Sequence, residues 1–181
     1  MKTLFTALLL VTIGVPITLL AQEKKSAGRS EGDQVGAIMK YRQEGEQKLN
    51  DNKLTKKEVA LTGPNIQENI KQKWSKMDAY YEGDKLVRIQ LYPHQGVTER
   101  TEEFYLRDGK LVFAFIQDKG PKHEGKDAGE AGKEFYFHND KLIKFEDRSG
   151  EREEHADQEK KMYESRLPYE ITELNDILKN S

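Results

Sequence analysis

The chain has 181 residues, of which 34% are charged, with a mean hydropathy of -0.87 and a formal net charge of -2. That length suits one domain with a real core and is short for two. Cysteine is absent, which excludes disulfides, a thiol nucleophile and lipid attachment to a cysteine behind a leader. The near-balanced charge supplies no global field for nucleic acid or anionic lipid, so no nucleic-acid partner is expected.

After Lys2 a charge-free run, 4–20, leads to Ala21 and then to the polar Gln22-Glu23-Lys24-Lys25. A basic start, an apolar centre and a small final residue describe a secretory signal peptide over 1–21, and hence an exported protein, periplasmic or secreted. Leu19 is bulkier than the usual residue two positions before cleavage, so a retained anchor stays open. Against it, the run is short for a bilayer span of about 20 residues and contains Gly14 and Pro16. No later segment is apolar enough to span, so no stable membrane span is expected once the leader is removed. Residues 22–30 are small and polar and read as a flexible tether, leaving 31–181 as a single domain.

Ser30 followed three residues later by Asp33 has the form of a capping box. Val35, Ile38, Met39, Tyr41 and Leu49 then recur at mostly helical spacing, which predicts a helix over 32–49 despite Gly36 and Gly45. Val59 and Leu61 alternate as in a short strand, ended by Gly63-Pro64. Pro64 is placed to open a second helix, with Ile66, Ile70, Trp74 and Met77 on one face, before the chain turns to strand near Lys76.

A short phrase then occurs three times: AYYEGDKLVRI (79–89), FYLRDGKLVFAF (104–115) and FYFHNDKLIKF (135–145). Each sets an aromatic run before a Gly, Asp or Asn turn, then Lys-Leu and an apolar run rich in β-branched residues, the pattern of a β-hairpin. Aligned on Lys85, Lys110 and Lys141, the copies are 25 and 31 residues apart, and the surplus lies in the glycine-rich GPKHEGKDAGEAG, a connecting loop read as a flap. A two-residue Asp108-Gly109 loop pairs Leu106 with Leu111 and Phe104 with Phe113. For the first copy a three-residue loop, Glu82-Gly83-Asp84, keeps the faces unmixed by pairing Ala79 with Val87 and Met77 with Ile89. The third copy fits either loop length.

The strand 111–116 is apolar on both faces and belongs inside a sheet with cover on each side. Beyond it, 151–159 is acidic and helix-permissive, and from Pro168 the residues Ile171, Leu174, Ile177 and Leu178 form the stripe of an amphipathic helix. The fold class is therefore α+β: an antiparallel meander of about six strands, three hairpins, with N-terminal and C-terminal helices packed on it.

The Phe-Tyr-x-x-x-Gly-Lys-Leu phrase at 104–115 and its variant at 135–145 resemble small exported proteins of unknown function from Gram-negative bacteria, which carry a signal, an N-terminal helix and successive hairpins of this type. The phrase also shares the layout of YD, MORN and YwqK-type hairpin repeats, from which it departs in having only three, irregularly spaced copies. The resemblance implies no activity and supplies no catalytic residue.

His94, His123, His138 and His155 show no metal-ligand spacing, and no metal or other cofactor is expected. Glu102 and Glu103 are adjacent and point to opposite faces of a strand, so they are not a converging catalytic pair; no serine, phosphate-loop or zinc-protease motif is present and no catalytic residue is named. Tyr80, Tyr105 and Tyr136 are equivalent in the alignment. They read either as an outward aromatic stripe that binds a ligand or as core beneath a helix. The leading expectation is a non-enzymatic exported domain binding a protein, peptide or glycan of the cell envelope through its sheet. Alternatives are an envelope hydrolase or lyase with its site under the 119–133 loop, and a small periplasmic inhibitor or immunity-like protein.

Overall fold

Ser30 starts the first helix as its spacing predicts. Its Oγ accepts the backbone N–H of Asp33 at 3.2 Å, while the Asp33 carboxylate accepts the backbone N–H of Ser30 at 3.3 Å, satisfying donors that a helix start otherwise leaves bare. The computed structural model describes residues 30–94, 100–118, 132–148 and 156–181. The leader 1–21, most of the tether, most of the glycine-rich insertion and the acidic start of the C-terminal segment lie outside them.

Helix α1 spans Glu31–Asn50. Of its glycines, Gly36 faces open space, whereas a Cβ at Gly45 would stand 3.1 Å from Tyr105 Cε1. Gly36→Ala is therefore expected to add about 0.5–1 kcal/mol of stability. Gly45→Ala should gain less, since the Tyr105 ring must shift; equal gains in urea unfolding would show that the contact is not tight.

Strands β1 (Thr55–Ala60), β2 (Trp74–Glu82), β3 (Lys85–Pro93), β4 (Arg100–Arg107), β5 (Lys110–Asp118), β6 (Lys133–His138) and β7 (Lys141–Asp147) form one antiparallel sheet in chain order. The meander is thus the three expected hairpins plus the short strand at Val59. The predicted second helix shrinks to α2, Glu68–Lys71, and Trp74 and Met77 belong to β2. Ile70, Trp74 and Met77 are all buried in one core, so the same apolar spacing is met by one helical turn followed by a strand. The strand wins because the ladders to β1 and β3 supply backbone partners on both sides, whereas a short helix is marginal by itself.

All three hairpins share one loop length and one register. Each has a two-residue loop: Glu82 pairs with Lys85, Arg107 with Lys110 and His138 with Lys141. Each then slips by one residue at the same place, passing over Val87, Val112 and Ile143. The three-residue first loop and the Phe104–Phe113 pair expected from strict alternation are therefore corrected: Ala79 pairs with Ile89, and Phe104 with Ala114. A β-bulge restores the apolar face that a longer loop was invoked to provide. The turns follow composition. Asp108 and Gly109, and Asn139 and Asp140, all have positive φ, as a type I′ turn requires, while in the first loop only Gly83 does, as in type II′.

One face of the sheet carries the main core, with Met77, Ile89, Leu91, Phe104, Ile116 and Phe135 packed under α3 (Ala156–Lys179). The expected stripe of Ile171, Leu174, Ile177 and Leu178 faces it. Pro168 lies inside α3 rather than opening it. On the other face Val35, Ile38 and Tyr41 of α1 sit on Tyr105, Phe113 and Tyr136. Strand β5 accordingly buries residues toward both helices, as its two apolar faces predict.

Candidate functional site

The shared bulge lines up one row of side chains across the sheet on the α1 side. Partner by partner it reads Lys56, Tyr80, Arg88, Tyr105, Phe113, Tyr136, Lys144. The three equivalent tyrosines therefore share one face and one row. The solvent-facing stripe is nevertheless corrected: Tyr80, Tyr105 and Tyr136 are 8%, 1% and 1% exposed. Tyr105 and Tyr136 are core beneath α1, edge-on to Phe113 with ring centroids at 5.9 and 5.2 Å. Tyr80 is roofed by the Arg88 guanidinium, 5.1 Å from its ring centre. Burial pushes the Tyr105 hydroxyl up to about 12, so it stays protonated and serves as a hydrogen-bond donor.

Two residues along, a second row reads Glu58, Asp78, Gln90, Glu103, Phe115, Glu134, Glu146. Ion pairs tie the rows together. Lys56 reaches Asp78 at 3.3 Å, Arg88 reaches Glu103 at 3.1 Å, and Arg42 of α1 reaches Glu134 at 3.2 Å. Asp78 is buried and also accepts the Tyr92 hydroxyl at 3.1 Å; burial and that carboxylate hold the Tyr92 hydroxyl well above the ordinary tyrosine range. Helix α1 packs on β5, β6 and β7. At the β1 edge the rows meet solvent, with Lys56 46% and Glu58 54% exposed at their side chains, and Lys76, two residues beyond Asp78 on β2, is 37% exposed; the β2 members Tyr80 and Asp78 are buried.

A pocket opens where these halves meet. Its walls are Tyr41, Gly45 and Lys48 of α1 and Glu82 and Val87 of the first hairpin, with Arg88 and Tyr105 also lining it, around a cavity of about 20 Å³. Arg88 has a side chain only 7% exposed. Its Nη2 donates to Gln90 at 3.1 Å and pairs with Glu103, while its Nε and Nη1 have no acceptor. A buried guanidinium with unused donors is costly unless something supplies them.

The α3 face holds a second polar cluster. Glu102, 0% exposed, accepts from Arg100 Nε at 2.7 Å and from Arg166 at 2.8 Å, and the same Arg166 nitrogen reaches Glu170 at 3.3 Å. Burial first, then the Glu102 charge, pushes the Glu170 carboxyl up to about 7, against the opposing pull of Arg166. Glu103 points to the opposite face, as period 2 predicts. Strand β4 lies between β3 and β5 in the sheet, so Glu102 is covered on the α3 side. These carboxylates are sealed from solvent, so no substrate reaches them in this conformation.

Among the described residues no group of three His, Asp or Glu side chains is arranged to hold a metal ion. His94 Nε2 donates to the Lys71 carbonyl at 2.7 Å, and His138 is exposed at a hairpin tip; His123, His155, Glu124 and residues 119–131 lie outside the described residues. Among those residues no helix is long and apolar enough to cross a membrane. Sequence reasoning named the tyrosines but not Arg88, the residue between two of them. The signal was there: Arg88 and Lys144 are the two cations in the set Arg88, Phe113 and Lys144, three residues after each aligned lysine. Comparison with protein-family models, with curated proteins and with solved structures finds no match.

Proposed function

We propose that the chain is a non-enzymatic binding domain, exported to the periplasm or beyond, that engages a protein, peptide or glycan of the cell envelope through the α1 side of its sheet. The observation that carries this reading is the division of that face. One half is closed by α1, and the other presents the exposed charges Lys56, Glu58 and Lys76 near the β1 edge, so donors and acceptors are held at fixed strand spacing on a rigid sheet. The sealed Glu102–Glu170 pair argues against those carboxylates being a hydrolytic site. The resemblance to small exported hairpin proteins agrees with the location.

The test is capture of envelope components by the mature chain, compared with a Glu58→Ala/Lys76→Ala variant. Both positions lie on the open half, and the exchange removes a pair that is 2.9 Å apart. Binding to the same component should fall at least severalfold, while Tyr169→Ala on the exposed side of α3 should leave it unchanged. Capture indifferent to the double variant and lost in Tyr169→Ala would move the interface to α3.

A further inference from the structure

We propose that the pocket between α1 and the first hairpin is a carboxylate site, with the Arg88 guanidinium as its receptor and Lys48 at its mouth. This rests on the binding-domain reading and specifies the chemistry of one contact within it.

Three observations converge. Arg88 is buried between its row neighbours Tyr80 and Tyr105, with ring centres 5.1 and 5.8 Å from its guanidinium carbon, so its plane is held by aromatic faces before any ligand arrives. Two of its nitrogens have no acceptor in the protein, and Glu103 is its one charged partner in an ion pair. The cavity it lines encloses about 20 Å³, space for a single small oxygen-bearing group rather than for a sugar or aromatic ring. Nε and Nη1 lie on different edges of the guanidinium, so an incoming group meets one of them with a single charge-assisted hydrogen bond, and the small anionic oxygen group that fits so small a space is a carboxylate.

The mouth restricts what the carboxylate can be attached to. Glu44 and Glu82 also line the pocket. Lys48 is committed to Glu82, with Nζ–Oε distances of 2.6 and 2.8 Å, so it offsets one of the two. A second negative charge on the ligand would meet Glu44, whereas a neutral or cationic body would not. Leu54 and Val87 supply an apolar wall for a short aliphatic stem. The class of ligand is thus a monocarboxylate on an uncharged or basic body, from either a peptide chain end or an acidic side chain.

The experiment is ¹⁵N NMR titration of the mature chain with N-acetyl-alanine, which offers a chain-end carboxylate, and with N-acetyl-glutamate α-amide, which offers a side-chain carboxylate. N-acetyl-alanine amide and succinate serve as controls. Saturable shifts at Gly45, Arg88 Nε–H and Tyr105 are expected for one or both monocarboxylates, with Kd on the order of 1 mM for so few atoms. The tighter of the two identifies the source. The amide should not bind, and succinate should bind severalfold more weakly.

Arg88→Lys keeps the charge and loses the fork, so affinity should fall about tenfold or more. Because that exchange perturbs a buried residue, Lys48→Met provides an independent arm at the mouth and should weaken binding severalfold. Indistinguishable shifts for acid and amide, or no saturable shift at all with only a bound water beside Arg88, would overturn the carboxylate assignment. The binding-face reading would survive either result, because Glu58→Ala/Lys76→Ala tests it without touching this pocket.

Discussion

Phe113→Ala is expected to cost about 3–5 kcal/mol, near the top of the range for an aromatic core truncation. Phe113 is fully buried and is the hub of the α1 side of the sheet: it is edge-on to both Tyr105 and Tyr136, and Arg42 of α1 lies 4.7 Å from its ring centre. Aromatic pairs of this geometry add about 0.5–1.5 kcal/mol beyond area burial, and two are lost together. The damage should be directional. The main core under α3 does not include Phe113, whereas α1 is held by this cluster, by the Tyr41 hydroxyl on the Leu106 carbonyl at 2.5 Å, and by Arg42 on Glu134. Hydrogen exchange should therefore quicken through residues 35–47 more than in β2 or β3, alongside the fall in the urea midpoint. A loss under 1 kcal/mol with α1 still protected would refute this role.

Glu170→Gln should stabilise the protein above neutral pH and do little in mild acid. The Glu170 carboxyl is raised to about 7, by burial first and by Glu102 second, with Arg166 pulling the other way, against about 4.3 in an unfolded chain. A carboxyl raised by folding contributes stability that is fully present below its unfolded value and is lost as pH rises through its folded value. The wild type therefore weakens across roughly pH 4.3 to 7 on account of this group, by on the order of 3–4 kcal/mol at completion. Glutamine keeps the shape without the ionisation. Other carboxylates titrate in the opposite sense, among them Glu146, held low by Lys144, so the quantity to measure is the difference between variant and wild type. That difference in unfolding free energy should be small at pH 5 and large at pH 8. A difference equal at both values would place the Glu170 titration elsewhere.

The architecture was legible where local chemistry decides it. Asp108-Gly109 announces a two-residue type I′ turn, Ser30 and Asp33 announce a helix start, and the double apolar face of β5 announces cover on both sides, whereas Asn139-Asp140 left its loop length open. The alignment on Lys85, Lys110 and Lys141 also identified Tyr80, Tyr105 and Tyr136 as equivalents, and the strand register puts them in one row. Two things escaped. The bulges at Val87, Val112 and Ile143 break strict alternation, and counting by twos from a turn cannot see a residue that the ladder skips. The cover is non-local: Tyr41 reaches Leu106 and Arg42 reaches Glu134, 65 and 92 positions away, so nothing near the tyrosines says that α1 lies on two of them. Arg166, which bridges Glu102 and Glu170, is invisible for the same reason, being 64 positions from Glu102. Trp74 misled differently, because four apolar residues at spacings of three and four fit a helix or a turn entering a strand equally well.

The common bulge gives each hairpin a fixed address. Without the skipped residue, Arg88, Phe113 and Lys144 would alternate toward the core under α3, where a cation has no place; with it, each stands in the helix-side row beside its tyrosine. The backbone at that address is the same three times, and only the occupant differs. In the middle hairpin it is a phenylalanine that anchors α1, while in the outer two it is a cation lying over an aromatic ring. One backbone device thus serves two ends, fastening the helix at the centre of the sheet and stacking a cation on a tyrosine toward its flanks, and a single side chain per hairpin decides which.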